Sequence, residues 1–119
     1  MQFSGKSVII TGAGKGIGRA CAQLMAARGA EVVAISRTQS DLDSLRSEIG
    51  GRSIRADLAD VAATRAAMAE AGTCDFLINS AGINVLESSF DMTEVGYEAV
   101  MGINLRAALI TCQEFGRAR

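Results

Sequence analysis

Four short runs, Val8–Thr11, Val32–Ile35, Ser53–Ala56 and Phe76–Asn79, alternate along the chain with stretches whose apolar residues recur at helical spacing. The first, second and fourth runs are nearly continuous in apolar residues, the pattern of parallel strands covered by helices on both faces. The order β-α-β-α-β-α-β-α predicts an α/β fold with a doubly wound parallel sheet. The first helix is expected from Gly16 to Arg28, ended by Gly29, whose missing Cβ suits a left-handed cap. The second is announced by Thr38 or Ser40 as N-cap and carries Leu42, Leu45 and Ile49 on one face. The third, about Ala59 to Ala71, is mostly alanine and closes at Gly72. Tyr97, Val100, Met101, Asn104, Leu105, Ala108, Leu109 and Cys112 then follow helical spacing, which predicts one long helix from about Thr93 towards the C-terminus with Asn104 on its apolar side. No repeat, low-complexity tract or proline marks a boundary, so residues 1–119 read as one domain or part of one.

The turns after the strands carry the candidate chemistry. Thr11-Gly12-Ala13-Gly14-Lys15-Gly16-Ile17-Gly18 joins the first strand to the first helix. Glycines there admit positive φ and let a diphosphate approach the main chain, while the new helix offers free N–H groups and a favourable dipole. A ligand-free tight turn would use the same residues, so the neighbouring loops must decide. Ser36-Arg37-Thr38 follows the second strand, where dinucleotide folds specify the adenine-side ribose. A carboxylate there would bind a free 2′-hydroxyl and repel a 2′-phosphate, whereas a guanidinium grips phosphate through paired bonds; Ser36 with Arg37 therefore favours NADP over NAD, and Lys15 adds a second positive charge. Asp57-Leu58 and Asn79-Ser80-Ala81-Gly82 end the third and fourth strands at the carboxyl edge of the sheet. Asp57 could accept from an adenine amino group or cap the next helix, and Ala81 with Gly82 would let the backbone pass close to a ribose.

Composition narrows the field of functions. With 49% apolar and 21% charged residues, a formal charge of −1 and no Lys/Arg cluster, the chain lacks the surface of a nucleic-acid or anionic-membrane binder, and a small-molecule substrate is expected instead. Residue one leads almost at once into the first strand and no apolar run nears the roughly 20 residues of a membrane span, so the expected address is cytoplasmic. Cys21, Cys74 and Cys112 are widely spaced among apolar neighbours and read as small buried hydrophobes. The absence of histidine removes Ser-His-Asp triads and most zinc or iron sites, and no metal is expected.

Together these segments resemble the short-chain dehydrogenase/reductases. Thr11, Gly12, Gly16 and Gly18 meet the family's Thr-Gly-x-x-x-Gly-x-Gly, and Asn79-Ser80-Ala81-Gly82 its Asn-Asn-Ala-Gly, with Ser80 replacing the second Asn. Residues 14–19, 36–42 and 104–107 look like the NADPH-dependent carbonyl and L-xylulose reductase group within it. The resemblance implies a Rossmann-like sheet of order 3-2-1-4, stopping before a fifth strand, and hydride transfer between NADP(H) and a carbonyl or alcohol substrate. It further implies that Gly12 to Gly18 wraps the cofactor phosphates, Arg37 holds the 2′-phosphate, Asp57 and Leu58 border the adenine, and Asn79 to Gly82 line the ribose side. Asn104 matches the family's active-site asparagine, which distorts its helix and holds a relay water on its main-chain carbonyl. An Asn paired with nearby backbone would read the same way, since a buried amide needs partners.

The family's catalytic serine and Tyr-x-x-x-Lys have no counterpart. Tyr97 is the single tyrosine, Met101 stands four residues on, and both lysines, Lys6 and Lys15, precede it; Tyr97 therefore reads as a packing residue. The chain resembles the amino-terminal half of a longer reductase and supplies its cofactor half, so no turnover is expected from it unaided. A fourth strand left as an open edge points to association, as a homo-oligomer, or to marginal stability. The rival readings are a catalytically silent nucleotide-binding or subunit-interaction module and a methyltransferase-like nucleotide fold, the latter disfavoured by Ser36 where a carboxylate is wanted.

Overall fold

The computed structural model describes residues 2–83 and 88–119. Its elements are β1 (Ser7–Thr11), α1 (Gly16–Ala27), β2 (Glu31–Ser36), α2 (Gln39–Ile49), β3 (Arg52–Arg55), α3 (Val61–Ala71), β4 (Phe76–Asn79), α4 (Glu94–Met101), a π-helical turn over Gly102–Arg106, and α5 (Ala107–Ala118). The strands are all parallel and lie in the order β3-β2-β1-β4, the expected doubly wound arrangement.

The apolar runs are continuous because each strand feeds two cores. Ile9, Val33, Ile35 and Ile54 face α3 and α5 and pack with Ala67, Met68, Ala71 and Ala107. Val8, Ile10, Val32 and Ala34 point the other way, against Ala22 of α1 and Leu42 and Leu45 of α2. Fully burying an isoleucine or leucine stabilises by about 2 kcal/mol, so β1 and β2, sealed on both faces, anchor the sheet. On α3 the inward side is Thr64, Ala67, Met68 and Ala71, small apart from Met68, which brings the helix close to the sheet but removes little apolar area from water. The N-terminal edge is tied separately. The Ser7 N–H donates to Asp75 Oδ2 (2.9 Å), and the Asp75 N–H returns a bond to the Ser7 carbonyl (3.0 Å), clamping β1 to the approach to β4.

Several boundaries differ from those expected. β3 runs one residue earlier because its ladder with β2 begins at Arg52, although the Ala56 N–H still donates to the Ser36 carbonyl at 3.0 Å. Thr38 occupies the N-cap position of α2 without a side-chain capping bond, and Ser40 lies inside the helix. α3 starts at Val61, not Ala59, because Asp60 is its cap: the carboxylate accepts from the Ala63 N–H at 3.0 Å.

The last helix is not one regular rod. The π turn inserts extra backbone between α4 and α5 and shifts the phase of everything after it. Ala107, Ile110 and Thr111 consequently face inward, whereas Leu105 and Leu109, read as part of the apolar face, are more than half exposed. Tyr97 is also half exposed and is not the packing residue expected. Of the cysteines only Cys74 is buried; Cys21 is partly covered, and Cys112 is exposed. Among the described residues no helix is long and apolar enough to cross a membrane.

Candidate nucleotide-binding site

Four connections meet at the carboxyl edge of the sheet, and a single hydroxyl joins two of them. Thr11 ends β1 and is almost wholly buried; its Oγ1 accepts from the Ser80 and Ala81 N–H groups, each at 3.2 Å. The loop after β4 is thereby drawn onto the loop after β1. At Gly12, φ is +66° and an added Cβ would lie 2.7 Å from Ala81 Cα, so only glycine permits this approach. Gly18, one turn into α1, packs against the Gly12 carbonyl so closely that a Cβ would overlap it. α1 begins after Lys15, an extended N-cap with no side-chain capping bond, and so presents its first amides at the mouth of the loop.

Beside this loop opens a solvent-open cleft of about 200 Å³. Gly12, Gly14 and Lys15 form one wall, Ser36, Arg37 and Thr38 a second, and Ser80, Ala81, Gly82 and Ile83 a third. Ala56, Asp57 and Leu58 close it from the β3 side, with Ile35 and Ile103 adding apolar surface. Lys15 and Arg37 thus face one space from different loops, and the residue between them at the end of β2 is the neutral Ser36.

Most residues expected to form a site converge here, with instructive exceptions. Asp57 does not cap α3, since Asp60 does; its Oδ1 accepts from the Ala59 N–H (3.0 Å), and the residue lies on the cleft wall. Gly16, Ile17 and Gly18 form the start of α1 and are not among the residues lining the cleft, with Ile17 largely exposed. Asn79 turns away from the cleft: its Oδ1 accepts from the buried Thr111 hydroxyl (2.7 Å), and its Nδ2 faces Cys112 Sγ (3.5 Å). It therefore fixes the loop after β4 from behind, through α5, and does not line the space itself.

Asn104 was expected as a buried amide but is exposed. It sits in the π turn, where its Nδ2 donates to the Ile83 carbonyl and its Oδ1 accepts from the Ile83 N–H, both at 2.8 Å. This two-bond clasp copies a strand pairing and ties the helix to the loop carrying Ala81 and Gly82. The sequence pattern did not point to Ile83, Ile103, Thr111 or the bonds of Thr11 to the loop after β4. A polar Thr111 between apolar Ile110 and the rest of the inward face was the one local sign.

The chain belongs to the short-chain dehydrogenase family, whose description as "short chain dehydrogenase" matches residues 6–118. It is 42% identical over 118 residues to L-xylulose reductase from Mesocricetus auratus, covering 98% of this chain and 48% of that protein. It is 37% identical over 119 residues to carbonyl reductase [NADPH] 2 from Sus scrofa, covering 99% of this chain and 49% of that protein. A blue fluorescent protein from a metagenomic library, solved in complex with NADPH, superposes with a TM-score of 0.92 at 32% identity, covering 99% of this chain and 53% of that one. The chain spans about half the length of the curated relatives it matches.

Proposed function

We propose that these 119 residues form the NADP(H)-binding unit of a short-chain reductase acting on a small carbonyl or alcohol substrate. The observation that carries this reading is the pairing of two cations, Lys15 and Arg37, around the uncharged Ser36 in the cleft beside the start of α1. A carboxylate at Ser36 would repel a 2′-phosphate; here the local charge attracts one. The relatives named for NADPH support the same choice of cofactor.

In this reading Gly12, Gly14 and the first amides of α1 at Gly16, Ile17 and Gly18 seat the diphosphate. Lys15, Ser36, Arg37 and Thr38 hold the 2′-phosphate. Asp57 and Leu58 border the adenine, and Ala81 and Gly82, with Asn79 behind them, flank the ribose. When bound, the nicotinamide supplies or takes a hydride at the carbon of the carbonyl–alcohol pair. Because the side chain of Asn104 is committed to Ile83, its contribution is through the main chain, as the holder of a relay water.

Calorimetric titration of the 119-residue chain with NADPH and NADH tests the proposal. NADPH is expected to bind at least about tenfold more tightly, the worth of one charge-assisted phosphate contact, and Arg37→Asp to abolish or invert that preference. Equal affinity for both in the unmutated chain would overturn it.

A further inference from the structure

The two cations of the cleft stand on different loops, and one partly buried guanidinium fastens those loops together. Arg19, one turn into α1, is 19% exposed. Its Nη1 donates to the carbonyl oxygens of Gly14 (3.1 Å) and Asp41 (3.3 Å). Its Nη2 donates to the Ser44 hydroxyl (3.0 Å) and to the carboxylate of Glu48. Arg19 and then Gln23 hold the Glu48 carboxyl below its ordinary range, so the far end of the guanidinium keeps a charged partner.

Gly14 immediately precedes Lys15, and Asp41 and Ser44 belong to α2, which starts just after Arg37 and Thr38. The loops already touch: a Cβ at Gly14 would lie 2.7 Å from Ser36 Oγ and 2.9 Å from Asp41 Cβ. Both Lys15 and Arg37 are exposed, long side chains, so the place where their charges meet is set by the backbones that carry them. Arg19 is the side chain that bonds both backbones at once. A lysine could not replace it, because two main-chain carbonyls and two α2 side chains are met by a rigid planar fork, not by a point charge.

We propose that Arg19 is a positioning residue for cofactor selectivity: by locking the Gly14–Lys15 turn to the start of α2 it sets the spacing of Lys15 and Arg37 that accepts a 2′-phosphate. The inference rests on the NADP(H) reading above. A residue that merely supported the glycine turn would, on removal, weaken both dinucleotides alike; Arg19 acts on the difference between them.

The test compares NADPH and NADH affinities for the unmutated chain, Arg19→Ala, Arg19→Lys and Glu48→Gln, each checked for fold by circular dichroism. Arg19→Ala and Arg19→Lys are expected to lower the NADPH-to-NADH affinity ratio about tenfold, while the NADH affinity moves less than about threefold. Glu48→Gln, which keeps both carbonyl bonds, is expected to hold the ratio within about twofold. Should Arg19→Ala fail to fold, Arg19→Lys decides. An unchanged ratio in folded Arg19→Lys, or equal weakening of both dinucleotides, overturns the inference and leaves the proposed function standing. No preference in the unmutated chain overturns the proposed function and this inference with it.

Discussion

Replacing Thr11 by valine removes one oxygen and almost no volume, so its effect isolates the hydroxyl that joins β1 to the loop after β4. Two N–H donors, those of Ser80 and Ala81, lose an acceptor at 3.2 Å. A hydrogen bond of this kind contributes about 1 kcal/mol net, and an amide left unpaired in a dry site costs about 1–3 kcal/mol. Ser80 and Ala81 are only partly buried, so water recovers some of the loss, and the net cost of Thr11→Val is expected to be about 2 kcal/mol. Thr11→Ser keeps the oxygen and deletes one buried methyl, at about 1 kcal/mol. For a chain of this size each kcal/mol corresponds to roughly 4 °C in melting temperature. Urea unfolding gives the two free energies, and amide hydrogen exchange locates the change. In Thr11→Val the Ser80 and Ala81 amides should lose protection beyond the global destabilisation, whereas in Thr11→Ser they should not. If valine proves no worse than serine, or those two amides remain protected in it, the hydroxyl is not what holds the two loops together.

Other expectations follow from single contacts. Gly12→Ala combines a left-handed φ with a Cβ 2.7 Å from the Ala81 backbone, and should cost about 3 kcal/mol; a thermal shift corresponding to less than 1 kcal/mol would contradict the close approach of the loops. Asp75 is held below its ordinary value of 3.8 by the Ser7 N–H first; burial opposes this as the next influence, and Lys6, the Ser7 hydroxyl and Arg119 lower it further. A depressed carboxyl stabilises the fold above its unfolded pKa, and that contribution is lost as pH falls through the folded one. Asp75→Asn should therefore be less stable than the unmutated chain near neutrality, with the gap closing below pH 3.8 in denaturant titrations; a gap independent of pH would refute the assignment.

The strands and the sheet class were legible because burial on both faces leaves an unbroken apolar run, as in Val8-Ile9-Ile10. β3 was placed one residue late because Ile54 is its single buried apolar residue between exposed arginines, too little pattern to fix an end. The cleft was readable as loops, since glycines and polar tips follow each strand, but not as contacts. Arg19 meets partners 22 to 29 positions away, and nothing in its neighbours announces them. The turn of Asn79 towards α5 depends on Thr111, 32 residues later, which no local rule connects to it. Helical periodicity assumes a constant 3.6 residues per turn, so the π turn at Gly102–Arg106 misdirected the reading of Leu105 and Leu109.

That wide turn works as a phase shifter between the two ends of what is otherwise one rod. Each residue of a regular helix advances the azimuth by about 100°, and the wide turn absorbs one extra residue, so winding the same residues into a regular α-helix would swing all of α5 by about that angle. Ala107, Ile110 and Thr111 would leave the sheet, and the Asn79 carboxamide would lose its hydroxyl donor even with every one of those side chains unaltered. The grip of Asn104 on Ile83 and the seating of α5 coexist because the helix is locally overlong by one residue.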